Sequence, residues 1–271
     1  METSLHRDLK RLYAGEQGGV EVRLGAHIID AIADDELIEI QHGKLSAIRD
    51  KIRTLLQSHR VRIVKPLIAR KTLVKLAAKD GAVLERRSSP KRQIPLDLFD
   101  ELVRATRLFP HPNLTIEVAM VEVLELRYPG HGRRRRWRKN DFVVQDQQLV
   151  EISETVELST PDDLLRLAGF SRCLPANKTG PIKTARKVTS LPQQFHTADM
   201  AKFLSIPRWR AQQIAYVLRH CDALRVVGKS RNAVLYEISA QAPVSATLPA
   251  IPAAPRPIKK SGEKRKRRSA A

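Results

Sequence analysis

The sequence has few cysteines, few aromatic residues and no long apolar run, and each shortage excludes a class of protein. Two cysteines in 271 residues are too few for a disulfide framework or a Cys₄ zinc site. Without an apolar run of about 18 residues, the sequence predicts no membrane-spanning helix and no membrane partner. The N-terminal residues lack the apolar core of a secretory signal, which predicts a cytoplasmic protein.

Several catalytic signatures are also missing. The eight histidines show neither HExxH spacing nor pairing with cysteines, which argues against a zinc enzyme. The sequence contains no Gly-x-Ser-x-Gly, P-loop or Rossmann fingerprint. Hydrophobic residues nevertheless make up 42% of the chain, which is enough to bury a core. We therefore expect a folded protein of about two domains.

Positive charge is in large excess, with a formal net charge of +20. A charge of this size points to a polyanionic partner, and nucleic acid is the default, so we expect a DNA-binding, nucleoid-associated protein, with RNA left open. Much of the excess lies in two segments. One is the C-terminal tail, and the other is a loop in which Trp137 follows four phosphate-binding candidates, namely Arg133, Arg134, Arg135 and Arg136.

The hydrophobic pattern predicts an α/β unit, a linker, a second small unit and a disordered tail, at residues 1–158, 159–194, 195–240 and 241–271. The first unit begins with a helix, three strands, a helix and a strand. We place these elements at Leu5–Tyr13, Val20–Leu24, Ala26–Ile32, Glu36–Gln41, Lys44–Gln57 and Arg60–Ile68. Pro66 predicts an edge or the end of the last strand. A β-rich extension follows, with a hairpin around Lys79–Gly81, a strand over Leu114–Arg127, and two short strands within Phe142–Leu158.

Two carboxylates fall on neighbouring strands of this first unit. Asp30 lies on the second predicted strand, and Glu39 lies on the third, two residues before Gln41. Adjacent strands joined by a tight turn can place both carboxylates at one end of a sheet. Together with the Ile40 carbonyl and waters, they would hold a hard divalent cation such as Mg²⁺ or Mn²⁺. Such a cation activates a water and neutralises charge on a phosphodiester oxygen.

The order of elements and the spacing Asp30-(x)₈-Glu39-Ile40-Gln41 resemble the PD-(D/E)XK, or restriction-endonuclease-like, nuclease superfamily over roughly residues 4–68. The resemblance implies a mixed sheet flanked by helices and magnesium-dependent hydrolysis of DNA phosphodiester bonds, by an endo- or exonuclease. It also implies that Asp30 and Glu39 are metal ligands and that Gln41 stands at the usual lysine position. Further implied candidates are Glu16 or Glu21 as an extra acid, and Lys44 or Lys51 as a lysine moved onto the following helix.

The second unit has the pattern of a winged-helix, or helix-turn-helix, domain. A helix from Thr197, a short turn, a helix over Arg208–Arg219 and a two-stranded hairpin follow one another. Basic side chains on the second helix and in the hairpin favour DNA as its ligand. These DNA-binding candidates are Arg208, Arg210, Lys229 and Arg231.

Other functions stay open. Because Gln41 replaces lysine, the chain could instead be a non-catalytic DNA-binding regulator or architectural protein with an inactive nuclease fold. A basic RNA-associated protein fits the charge but explains neither the carboxylates nor the winged-helix pattern. A homodimer is compatible with the superfamily, although no interface is readable in the sequence.

Overall fold

The computed structural model describes residues 2–130, 142–170 and 191–239. The arginine cluster at 133–136 with Trp137, most of the predicted linker, and the basic tail at 241–271 lie outside the described residues. None of the helices in the three described segments is long and apolar enough to cross a membrane.

The described segments form an α/β structure around a mixed seven-stranded sheet, as the sequence predicts at this level. The strands are β1 Gly19–Leu24, β2 His27–Ala33, β3 Glu36–Ile40, β4 Arg60–Leu76, β5 Val83–Ser88, β6 Leu114–Pro129 and β7 Phe142–Leu158. Their order is β1-β2-β3-β4-β6-β7, and β5 pairs with the far end of β4. β1 to β3 pair antiparallel, β3 pairs parallel with β4 and β4 with β6, and β7 returns antiparallel to β6.

Helices cover both faces of this sheet. α1 (Ser4–Ala14) lies on one face, where Leu5 and Leu9 pack in a cluster with Ile38, Val64 and other strand residues. The opposite face carries α2 (Arg49–Leu55), α3 (Leu98–Leu102) and α4 (Pro161–Leu167) over the larger apolar cluster. Both clusters follow the alternation of apolar side chains along the strands.

The C-terminal segment forms two helices and a hairpin, in the predicted order. α5 is Thr197–Leu204, α6 is Arg208–His220, β8 is Leu224–Ser230 and β9 is Ala233–Ile238. Its buried side chains belong to the same apolar cluster as the face of the sheet that α2, α3 and α4 cover. The Cys221 thiol, for example, donates to the Phe109 carbonyl at 3.2 Å. The two predicted units therefore share one core.

Two strands are longer than the sequence predicts. Pro66, predicted at an edge or at the end of its strand, lies inside the 17-residue β4 at the point where β3 has ended, so its missing N–H faces the unpaired side. The Val64 carbonyl accepts the Gln41 N–H at 2.9 Å, and Pro66 points its nitrogen in the same direction, where no strand bond is lost. Residues Phe142–Leu158 form one long strand along β6, not two short ones. All five residues of β3 are buried, because helices lie on both faces.

Candidate functional site

Asp30 and Glu39 lie across from each other where β2 and β3 separate. The last paired residues are Ala31 and Ile38, so Asp30 and Glu39 are the next residue on each strand and have neighbouring backbone positions. Beyond that point the backbone pairing is replaced by a side chain, because the Ile40 N–H donates to Asp30 Oδ2 at 2.9 Å. The two acids therefore lie at the same end of the β2–β3 pair, and their side chains contact different helices, Asp30 contacting α1 and Glu39 contacting α2.

Asp30 is held in its ionised form. Partial burial raises the pKa of this carboxyl, but hydrogen bonds from His6 and from the Ile40 N–H outweigh burial, and the pKa lies below its usual value. His6, on α1, places Nε2 at 3.5 Å from Asp30 Oδ1. Nothing in the sequence pattern pointed to His6, because only tertiary packing brings α1 against β2.

Glu39 is buried and forms an ion pair with Lys51 of α2. Burial raises the pKa of Glu39, and the Lys51 ammonium and the Asp30 N–H only partly offset that effect. Lys51 Nζ also donates to the Ile28 carbonyl at 2.5 Å, so it bridges β2 and β3. Of the two lysines suggested for the helix after β3, the structure brings Lys51 to Glu39. Lys44 is exposed, and its carbonyl accepts the Gln41 side-chain amide at 2.8 Å.

An open cleft of about 630 Å³ lies beside His6 and Ile40, which both contact Asp30, whereas Asp30, Glu39 and Lys51 are not part of its lining. It is bounded by the start of α1, by β1, by the segment that follows β3, and by β7. The lining residues are Glu2, Thr3, His6, Lys10, Glu21, Ile40, Gln41, His42, Gly43 and Gln147. Of the two suggested accessory acids, Glu21 lines this cleft and pairs with Lys10 at 2.6 Å. Glu16 is exposed in the turn after α1 and is not part of the lining.

A buried lysine fixes the cleft segment that follows β3. Lys65 Nζ donates to the His42 and Gly43 carbonyls at 3.1 and 2.5 Å, and burial lowers the pKa of this lysine. Glu101, on α3, accepts the Leu45 N–H at 3.2 Å and lies 4.0 Å from Lys65. Lys65 is not among the residues that the sequence predicts for the site, although a lysine inside the apolar run VRIVKPLI is a visible signal.

Asp30 and Glu39 offer the carboxylate oxygens that a magnesium ion prefers as ligands. Both are carboxylates, and magnesium usually binds one or two carboxylates and keeps several waters. No cluster of three or more His, Cys, Asp or Glu side chains suited to a metal occurs within the described ranges, so protein ligands beyond the pair would be backbone carbonyls such as that of Ile40. Lys51 already occupies one side of Glu39, so a metal would have to share that carboxylate with the ammonium.

Three of the four predicted DNA-binding residues in the C-terminal unit are exposed, and the fourth is turned inward. Arg208 is exposed at the start of α6, and Lys229 and Arg231 are exposed on the β8–β9 hairpin. Arg210 instead turns inward and pairs with Asp97, in the turn that precedes α3. That pair ties the two units together, and it leaves Arg210 poorly placed to contact DNA.

Comparison with known proteins gives a family and one relative. An uncharacterized protein of Treponema pallidum (strain Nichols) is 27% identical over 164 residues, which are 60% of this chain and 64% of that protein. The match thus covers less than two thirds of the relative's length. No solved structure matches the chain. Residues 3–159 match the family described as "Domain of unknown function (DUF8091)". This match covers more than half of the chain, including the sheet, Asp30 and Glu39, and the protein therefore belongs to the DUF8091 family.

Proposed function

We propose that the protein hydrolyses DNA phosphodiester bonds with a divalent metal ion held at Asp30 and Glu39. The observation that carries the proposal is the position of Asp30 and Glu39 at the same end of the β2–β3 pair, where His6 and Ile40, the contacts of Asp30, line an open cleft. The order of β1 to β4, with β3 and β4 parallel across α2, supports a restriction-endonuclease-like arrangement. The net charge of +20 supports a nucleic-acid substrate.

Each residue of the candidate site has its own role in this proposal. Asp30 and Glu39 hold the metal ion, with the Ile40 carbonyl as a further oxygen donor. When bound, the ion supplies a water of lowered pKa and neutralises charge on a phosphate oxygen. Lys51 supplies a fixed positive charge beside Glu39, which would stabilise negative charge developing on the phosphate. Gln41 lines the cleft and can orient a water through its amide, but an amide cannot serve as a general base.

The C-terminal unit would deliver the substrate. Its helix-turn-helix order followed by a hairpin supports a winged-helix domain, and exposed Arg208, Lys229 and Arg231 supply phosphate contacts. The arginines at 133–136, which lie outside the described residues, would add further phosphate contacts.

A cleavage assay tests the proposal. Purified full-length protein is incubated with plasmid, linear duplex and single-stranded DNA in magnesium, manganese or chelator. We expect metal-dependent cleavage that falls at least about 100-fold in Asp30→Asn and in Glu39→Gln, because each change removes a charged ligand. Asp50→Asn, an exposed carboxylate next to Lys51 on α2, is the matched control and should keep full activity. Cleavage that survives in both ligand variants would refute the proposal.

A second candidate is a DNA-binding protein without turnover. It is favoured by the engagement of both carboxylates, since Asp30 accepts the Ile40 N–H and Glu39 pairs with Lys51. Under this hypothesis the protein retards DNA in a gel, with or without metal, and cleaves none of the three substrates. The ligand variants would then bind DNA like the wild type.

A further inference from the structure

One face of α6 carries two large exposed aromatic side chains. Trp209 is 57% exposed and Tyr216 is 43% exposed. They are seven residues apart, which is about two helical turns, so they lie on the same face and about 10 Å apart along the axis. The opposite face of α6 is fully used in the core, where Ala211, Ile214 and Leu218 are buried. The two aromatic side chains therefore lie outside the core and are accessible to a ligand.

The other side chains on this face are polar or aromatic. Gln212 is exposed between the two aromatic residues. The His220 ring packs on the Tyr216 ring, with 4.0 Å between centroids and an angle of 35° between the planes. The His220 ring nitrogen Nδ1 lies 2.8 Å from the Tyr216 carbonyl, which fixes the pair. This face of α6 thus presents flat ring surfaces together with the exposed amide of Gln212, a group that can hydrogen-bond to bases.

The charged side chains of α6 itself are all basic, and one of them, Arg210, is paired with Asp97. No aspartate or glutamate occurs between Asp199 and Asp222, a stretch that contains the whole of α6. Arg208 and Arg219 are exposed at the two ends of the helix. Aromatic rings between exposed arginines, on a helix with no carboxylate of its own, match the combination that binds nucleic-acid strands, in which rings stack on bases and cations contact phosphates.

We propose that this face of α6 binds unpaired nucleotides, with bases stacking on Trp209 and Tyr216 and phosphates contacting Arg208 and Arg219. In a duplex the flat surfaces of the bases are covered by their neighbours, so stacking on protein rings selects bases that are single-stranded or flipped out. The inference rests on the proposed function for nucleic acid as the substrate class. It adds that the substrate offers unpaired bases.

The first test uses Trp209 as its own reporter. The chain has two tryptophans, so Trp137→Phe leaves Trp209 as the single tryptophan, which is excited at a wavelength where tyrosine does not absorb. Titration of this variant with an oligothymidylate of about 20 nucleotides, in chelator, should quench the fluorescence to saturation. A matched duplex should quench it far less. An unchanged signal at saturating oligothymidylate, or equal quenching by both ligands, would overturn the proposal.

The second test measures affinity in alanine variants by fluorescence anisotropy. Trp209→Ala and Tyr216→Ala should each weaken oligothymidylate binding by between about 5-fold and about 100-fold, the range expected for one lost base stack. Binding to the duplex and to heparin, which has charge but no bases, should change less than about twofold. Leu12→Ala, 58% exposed on α1, is the control for loss of an exposed apolar side chain and should bind normally.

The outcomes separate this inference from the proposed function. Both tests run in chelator, so a failure of metal-dependent cleavage leaves them unaffected. Equal loss of affinity for single strand and duplex would show that α6 contacts a duplex groove and would overturn the preference for unpaired bases. Unchanged affinity for all three ligands would show that the face takes a different partner, and would also overturn it.

Discussion

Phe170 is expected to hold the two halves of the described structure in one cooperative unit. Its side chain is fully buried after α4, and its ring lies 6.2 Å from the Phe195 ring and 5.7 Å from the Phe203 ring, centroid to centroid. Those partners belong to the C-terminal unit, whereas Phe170 follows the sheet. Removing a buried phenylalanine costs about 3–5 kcal/mol, from lost transfer energy and the remaining cavity. At about 2–4 °C per kcal/mol for a protein of this size, Phe170→Ala should lower Tm by about 6–20 °C.

Differential scanning calorimetry of the full chain measures this effect. We expect a single transition in the wild type and a single, earlier transition in Phe170→Ala. Phe170→Leu should lose less, because leucine refills part of the cavity. The exposed Leu12→Ala should stay within about 0.5 kcal/mol of the wild type. Two separate transitions, with only one of them shifted by Phe170→Ala, would refute the shared core and restore two independent domains.

Three further predictions follow from the contacts of single residues. Arg210→Ala should destabilise the protein by about 1–3 kcal/mol, because the partly buried carboxylate of Asp97 loses its charge pair, and DNA affinity should stay within about twofold. Arg208→Ala should instead weaken DNA binding, and the slope of log affinity against log salt concentration should fall by about one. Burial raises the pKa of Cys221 to about 12, so in a Cys173→Ser background this thiol should resist a thiol reagent at pH 8 until the protein unfolds, and rapid labelling of the native protein would contradict the assignment. Because burial raises the pKa of Glu39, ionisation of this carboxyl lowers the free energy of unfolding as pH rises above about 4.5. Glu39→Gln should therefore be at least as stable as the wild type in denaturant titrations at pH 7, although it loses cleavage. Its advantage in stability should shrink as the pH is lowered toward about 4.5.

Local elements of the fold were largely readable from the sequence. The first helix, the three strands after it and the hairpin around Lys79–Gly81 agree with the structure to within a few residues, because apolar spacing, Gly and Asp turns mark them locally. The lengths of the strands were harder to predict from the sequence. β4 continues through Pro66, because the proline nitrogen faces a gap beyond β3, which no single-strand pattern reveals. β7 stays one strand, because it pairs with β6 along its whole length.

The candidate site was readable in part for the same reason. Asp30 and Glu39 lie on consecutive strands, so a tight turn and antiparallel register are enough to bring them together. Their partners come from elsewhere in the chain. Lys51 reaches Glu39 because α2 crosses back over the sheet, and His6 reaches Asp30 because α1 packs on the other face. The inward turn of Arg210 depends on Asp97, 113 residues away in sequence.

The sequence by itself determined the charge, the α/β class, the order of the early elements and the pair of acids, since these depend on composition and on contacts between near neighbours. The tertiary structure decided which cations meet those acids, which arginines face solvent, and that the C-terminal unit shares the core of the sheet. Such contacts join segments far apart in the chain. Their energies depend on packing and burial, which appear only when the elements are brought together.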